Sequence, residues 1–301
     1  MVEAMIESIN LLIMFMVLSS GGSAPELAKV NSRRLEIRAA AGVPGGHDSP
    51  SNAGKQSITS FIMETINVPP WGHPLEEKDY RNLEARWITR ELANQALLRR
   101  VSSEEGAAVV GHRGGRDCAG ILIPYYLPGS PDVINYRLRR DAPELRFNEM
   151  GEAKPEGKYL GPPNGGNRLY VVPGTPVEYL TDLSLPVVLT EGEFKTMALF
   201  RLASYNSTSF RFLPIGLAGV WNWRGVVGKT DGPNGERLDV KGPIPDLGRL
   251  SWAGRIVRII FDTNVRSNQM VAAARRELSK ELKKRGAQVF WTGLPVAVSR
   301  G

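Results

Sequence analysis

One stretch constrains the fold more than any other. Residues 186–199 read Pro-Val-Val-Leu-Thr-Glu-Gly-Glu-Phe-Lys-Thr-Met-Ala-Leu. An apolar run ends in a carboxylate and a glycine, and a helical pattern begins at once. That is the signature of a buried strand turning tightly into a helix, with Glu191 at the strand's carboxyl end. The pattern recurs at residues 258–264, Arg-Ile-Ile-Phe-Asp-Thr-Asn, ahead of a second long helical segment. From 177 to 294 strands and helices alternate: strands at 187–190, 211–215, 256–261 and 289–291, helices at 193–203 and 269–285. Such alternation predicts an α/β domain with a mostly parallel sheet flanked by helices. Residues 220–250, rich in Gly, Pro and Trp, interrupt it as an insertion. Within them Gly225-Val226-Val227-Gly228-Lys229-Thr230 has the wrong glycine spacing for a phosphate-binding P-loop and reads as a plain loop.

The chain before this domain is of another kind. Residues 83–100 have helical spacing, and Thr89 can cap a second helix inside them. Ser102 opens a further helix with acids in its first turn. From Gly120 the period becomes that of strands. Residues 120–127 and 133–141 form a hairpin around Pro128-Gly129-Ser130-Pro131, and 158–163 and 168–173 read as two more short strands. This predicts a small α+β unit at 76–175, ahead of the α/β domain at 176–301. Residues 1–75 are expected to be a disordered or linker N-terminus, since 20–75 are rich in Gly, Ser, Pro and Asn. The apolar run 9–18 resembles a signal peptide's core, but Glu3 and Glu7 precede it and no basic residue does. An amphipathic helix and a misplaced start remain as alternatives. The run is too short to span a bilayer comfortably, so no stable membrane association is expected.

Charge and cysteine usage narrow the partners. The formal net charge of +7 over 301 residues fits a polyanionic partner and equally an ordinary basic protein. With one cysteine, Cys118, neither an internal disulfide nor a cysteine zinc site can be built. A reducing, cytoplasmic setting is expected, with Cys118 a small core residue. His47, His73 and His112 show no metal-ligand spacing.

A Glu ending one strand and an Asp-x-Asp-like Asp262-Thr263-Asn264 ending a later one resemble the TOPRIM superfamily of topoisomerases, bacterial-type primases and some nucleases. The nearest likeness is to the TOPRIM-like domain of domain-of-unknown-function, primase-like proteins from phages, plasmids and mobile elements. Gly216-Leu217-Ala218-Gly219-Val220-Trp221-Asn222 and the basic helix ending in Arg285-Gly286-Ala287 add to it. The likeness covers roughly residues 83–295. It implies a DNA-processing, primase-like protein that binds single-stranded DNA, with Mg²⁺ (or Mn²⁺) as cofactor. The alternative is a non-catalytic TOPRIM-like nucleic-acid-binding module working with a separate helicase.

The chemistry assigned to single residues follows. Carboxylates on neighbouring strand ends can jointly hold Mg²⁺ against phosphate oxygens. Glu191, Asp262 and Asn264 are the metal candidates. Asn264 stands where a third acid is expected and supplies an oxygen without charge, which weakens the site. Glu191 is also the candidate acid/base, and Lys195 can reach a phosphate. The alternative for Glu191 and Asp262 is that they merely cap the helices that follow. Arg137 and Arg139 share a strand face among Tyr125, Tyr126 and Tyr136. That is a candidate single-strand surface if the tyrosines are not core. Arg276, Lys280 and Lys283, with Lys284, align on one side of the last helix and could track phosphates. Asn268 is expected to cap that helix, and Trp221, Trp223 and Trp252 to pack over the sheet.

Overall fold

The computed structural model describes residues 69–112, 114–147, 151, 153–261 and 268–292, all within one compact unit, Thr65–Gly293. The apolar run 9–18, nearly all of the expected linker, Asp262 and Asn264 lie outside the described residues.

The first elements are local in origin. Helix α1 (Glu77–Glu84) carries a capping box from Glu76 and Asp79. Helix α2 (Arg90–Gln95) is capped by Thr89, whose hydroxyl accepts the Leu92 N–H. The second helix that Thr89 is expected to cap within 83–100 is thus present, the first lies mostly ahead of that stretch, and the stretch ends in strand β1 (Arg99–Val101) rather than helix. Ser102 and Glu105 form the capping box of α3 (Ser103–Val109). Strands β2 (Gly120–Tyr126) and β3 (Val133–Arg140) pair as the antiparallel hairpin their alternation predicts. The pair β4 (Glu144–Phe147) and β5 (Ala153–Glu156) is a separate small hairpin. Strand β6 (Tyr159–Leu160) closes an antiparallel sheet in the order β1-β2-β3-β6.

Strand β7 (Leu169–Tyr170) belongs elsewhere. It joins β8 (Val187–Glu191), β9 (Leu213–Leu217), β12 (Ile256–Ile260) and β13 (Gln288–Trp291) in a five-stranded sheet ordered β13-β12-β8-β9-β7. Helix α4 (Glu193–Ala203) links β8 to β9, and α5 (Gln269–Lys284) lies between β12 and β13. Residues 224–243, read from sequence as part of an insertion, are a third antiparallel hairpin, of β10 (Arg224–Asp231) and β11 (Arg237–Pro243). The segment 225–230, expected to be a loop, is therefore strand.

The expected mostly parallel, TOPRIM-like sheet is corrected by this topology. Three of the four sheets are antiparallel. The fourth is mixed: β12–β13, β12–β8 and β8–β9 run parallel, while β7–β9 runs antiparallel. Five α-helices accompany this strand-rich arrangement among the described residues. The physical reason lies in the connections. Periodicity locates strands but carries no direction. The short links β2–β3, β4–β5 and β10–β11 allow only antiparallel pairing, because a parallel pair needs a long crossover.

The mixed sheet is covered on both faces, as period-two alternation requires. Val187, Leu189, Leu213, Ile215, Val257 and Ile259 pack in one core with Val271, Leu278 and Leu282 of α5 and with Trp223 and Trp252. The opposite face meets α4. Phe194, Met197 and Phe200 of that helix pack with Tyr170 and Val172, and with Ile121, Ile123 and Tyr125 of the antiparallel sheet. Helix α4 is thus buried between two sheets, and its exposed polar face is correspondingly small. Asn268 caps α5 as expected, accepting the Met270 and Val271 N–H groups. Cys118 is fully buried, and burial raises its thiol pKa, consistent with a core role.

Candidate nucleic-acid interface and strand-end acid

Glu191 closes β8, and the turn after it is set by two glycines. Gly192 has φ of 93°, in the region that favours glycine. Its N–H donates to the Leu217 carbonyl at 2.7 Å, extending the ladder by one bond before α4 begins. Gly216, across from Thr190, lets the helix approach. A Cβ there would collide with Thr196 Oγ1 and crowd Tyr170. Thr196 Oγ1 in turn donates to the Gly192 carbonyl at 2.9 Å, which fixes the turn that presents Glu191.

The position of Glu191 in the sheet is informative. Going from β8, the chain passes through α4 to β9 on one side. Going from β12, it passes through α5 to β13 on the other, across the opposite face. The carboxyl ends of β8 and β12 are therefore a topological switch point, where sheets with parallel strands open a crevice. Ile260, the last residue of β12, is paired with Thr190. Asp262 follows two residues later in the chain, outside the described residues, as does Asn264.

The next residue but one, Glu193, is buried at 2% exposure. It accepts the Tyr125 hydroxyl at 2.5 Å and pairs with Arg137 at 3.5 Å. Burial first, then the Glu193 charge, pushes the Tyr125 hydroxyl pKa well above its usual range. This network ties the antiparallel sheet to the start of α4. It engages Arg137, which also lies over the Tyr159 ring at 5.2 Å. Tyr125 and Tyr126 are core residues, at 2% and 3% exposure, so the tyrosine stacking surface weighed from the sequence resolves in favour of packing. Arg140, also buried, is held by Glu144 at 2.6 Å.

Arg139 has a different setting. Its guanidinium lies over the Phe194 ring at 5.5 Å, in the first turn of α4, three residues beyond Glu191. Arg139 and Phe194 line a cleft of about 360 Å³ together with Arg86, Arg100, Asp79 and Asp141. The two aspartates are both engaged by Arg100, and Lys78 at the cleft's edge is paired with Glu76 at 2.8 Å. Arg86 and Arg139 are left over. Lys158 joins them, one residue before Tyr159, the β6 partner of Arg139. Burial and then the Arg139 charge lower the Arg86 pKa. Burial, then Arg139, then Arg86 lower that of Lys158. Among the described residues no carboxylate forms an ion pair with any of the three. Arg86 and Lys158 were not singled out from the sequence, because only the β3–β6 pairing and the turn after α1 bring them to Arg139.

The remaining sequence candidates are dispersed. Lys195 lies in the first turn of α4, half-buried. Arg276, Lys280 and Lys283 are exposed on α5, and Lys280 is paired with Glu277 at 2.7 Å. Among the described residues no three His, Cys, Asp or Glu side chains are grouped to hold a metal. Glu191 alone supplies one hard-oxygen ligand, which by itself is not a divalent-metal site. No helix among the described residues is long and apolar enough to cross a membrane.

Residues 178–301 match the family described as Domain of unknown function (DUF3854). No curated protein matches the chain. The matched segment begins in the turn before β8 and includes the mixed sheet apart from β7.

Proposed function

We propose that this protein binds single-stranded nucleic acid, with its phosphates on Arg86, Arg139 and Lys158. One observation carries the reading: Arg86 and Arg139 line one cleft with Lys158 close to both, and none of the three, all partly withdrawn from water, has a carboxylate ion-pair partner among the described residues. Such a grouping costs the folded state free energy. A phosphate-bearing ligand reverses that cost, since bound phosphates take up the uncompensated charge and release counterions. Phe194 and Arg139 add a stacked aromatic and cation at the same place, a combination suited to unpaired bases. Arg276 and Lys283 are on α5, which covers the face of the mixed sheet opposite α4, and lie apart from this cluster.

The cluster borders the helix turn that follows Glu191, which supports a chemical role for the switch point. In this reading the protein is a primase-like DNA-processing protein of a mobile element. Glu191, with Asp262 and Asn264, would hold Mg²⁺ or Mn²⁺, and Lys195 would assist at a phosphate. The ion would supply charge stabilisation for phosphoryl transfer. A purely binding module that works with a helicase is the second reading, favoured by the neutral Asn264 at the metal position. The free, buried Cys118 thiol accords with a cytoplasmic setting.

The test combines binding and chemistry. Fluorescence anisotropy with a labelled single strand should show affinity that Arg86→Gln/Arg139→Gln/Lys158→Gln abolishes at physiological salt. Primer synthesis and nicking with Mg²⁺ or Mn²⁺ are then compared between wild type and Glu191→Gln. Loss of activity with retained binding supports the catalytic reading. Metal-indifferent binding with no activity in either protein leaves the binding module. Strand affinity equal in wild type and triple variant contradicts the proposal.

A further inference from the structure

A second concave surface opens at the same edge of the mixed sheet. Leu169, the first residue of β7, is paired with Leu217, the last of β9, and Leu217 with Glu191. The segment entering β7 and the segment leaving β9 therefore both lie at the edge that carries Glu191. Between them and the base of the β10–β11 hairpin is a cleft of about 950 Å³. That is at the upper end of the range for small-molecule sites and far larger than a lone inorganic anion requires.

Its lining is chemically one-sided. The charged side chains are Arg168, Arg224 and Lys241, with no carboxylate among them. Arg168 is neutralised by Asp246 at 3.1 Å, which leaves Arg224 and Lys241 facing the cleft without an ion pair among the described residues. Three amides, Asn164, Asn167 and Asn222, stand around an indole, Trp221. The Trp221 Nε1 donor has no acceptor among the described residues, a costly state for a buried N–H.

The cleft is also held in shape before any ligand arrives. Asn167 Nδ2 donates to the Arg224 carbonyl at 2.7 Å, joining the 164–167 loop to the hairpin base. Asn135 Nδ2 holds the other side of the loop, donating to the Gly165 carbonyl at 3.2 Å. Asp246 fixes its exit by accepting the Leu169 N–H at 3.0 Å. Asn164 and Gly166 both take positive φ, 64° each, which turns successive peptide groups of the loop. Side chains set by such bonds lose little freedom on binding.

Cations, amides and an aromatic face are together the groups that recognise a nucleotide. We propose that this cleft binds a nucleotide unit, with its phosphate on Arg224 and Lys241 and its base against Trp221 with the amides at its edge. The unit is either a free nucleoside phosphate or one residue of a single strand. The choice of ligand class rests on the reading of the protein as a nucleic-acid binder. The cleft's residues are separate from the Arg86–Arg139–Lys158 cluster.

The test uses the full chain with three probes: ATP, inorganic pyrophosphate and a short oligothymidylate. Binding is followed by calorimetry and by tryptophan fluorescence. Wild type should bind ATP or the oligonucleotide with quenching of fluorescence. Lys241→Gln, on the exposed hairpin, should weaken that binding about tenfold, and Arg224→Gln/Lys241→Gln further. Trp221→Phe should keep affinity within about tenfold and lose most of the quench. Unchanged melting of Lys241→Gln separates lost contacts from lost folding. ATP binding identifies a free nucleotide as the source, and oligonucleotide binding alone identifies a strand. Pyrophosphate binding as tightly as either would overturn base recognition. Equal affinities in wild type and Arg224→Gln/Lys241→Gln would overturn the site. The Arg86→Gln/Arg139→Gln/Lys158→Gln protein separates the two proposals. If it binds strands normally while Arg224→Gln/Lys241→Gln does not, the cleft stands and the proposed strand surface fails. The reverse pattern removes the cleft alone.

Discussion

Arg255, just before β12, and Arg139, in β3, are both arginines withdrawn from bulk water, and the fold treats them in opposite ways. Arg255 is fully buried, and its guanidinium donates to the carbonyls of Leu185 at 2.7 Å, Leu180 at 2.8 Å and Tyr179 at 2.6 Å. Those bonds attach the segment before β8 to the start of β12. Burial lowers its pKa to about 10, so it stays charged at neutral pH while serving as a structural clamp. Arg139 sits near Arg86 and Lys158 with the Phe194 ring beneath it, and the two aspartates in its cleft, Asp79 and Asp141, are taken up by Arg100. The first arrangement completes the carbonyl ends of the fold. The second adds repulsion that the fold does not need. Pairing, more than burial or net charge, separates cations that stabilise the molecule from cations left for a ligand.

Substitutions can break or sharpen that contrast. The largest expected effect is at Arg255. Arg255→Met strands three carbonyls in the core and should cost about 3–5 kcal/mol, read as a lower urea midpoint with strand affinity per folded molecule unchanged. Next is the helix–sheet approach. Gly216→Ala forces Thr196 and Tyr170 apart and should cost about 1–3 kcal/mol. It also displaces the Gly192 turn, so any activity at Glu191 should fall more than stability does. Arg139→Gln should instead leave thermal stability equal or slightly higher, since like-charge repulsion is relieved, while strand binding weakens several-fold.

The smallest effect concerns Glu144, held by Arg140. That hydrogen bond, with the Arg140 charge, lowers the Glu144 pKa from 4.5 to about 2. A carboxylate whose folded pKa is depressed contributes stability above its unfolded pKa and loses it as pH falls through the folded value. The melting difference between wild type and Glu144→Gln should therefore be full above about pH 5, shrink as pH falls, and vanish only below about pH 2. A difference that does not shrink between about pH 5 and about pH 2 would contradict the pairing.

Much of the local structure was legible in the sequence because its causes are local. Thr89, Ser102 and Asn268 cap the helices their spacing indicates. The stretch 186–199 folds as the strand, turn and helix it spells. Strand direction was not legible, because it depends on which strands meet. The short run at β7 gives no sign that it pairs with β9, antiparallel, more than forty residues later. Hairpin β10–β11 was missed because both its faces are largely exposed. Val226, Val227, Leu238 and Val240 face solvent beside glycines and charges, so neither a buried run nor clean alternation marks it. At the site, Glu191 and Arg139 were visible as residue types in position. Arg86 and Lys158 were not, since a like-charge cluster drawn from three separate segments has no one-dimensional signature.

The most direct test of the distinction between paired and leftover cations is the salt dependence of single-strand binding. For a single strand the slope of log affinity against log salt is about −0.7 per neutralised phosphate. If Arg86, Arg139 and Lys158 each engage a phosphate, Arg86→Gln/Arg139→Gln/Lys158→Gln should flatten the wild-type slope by about 2. The same affinity and slope in both proteins would show that the cluster takes no part in binding.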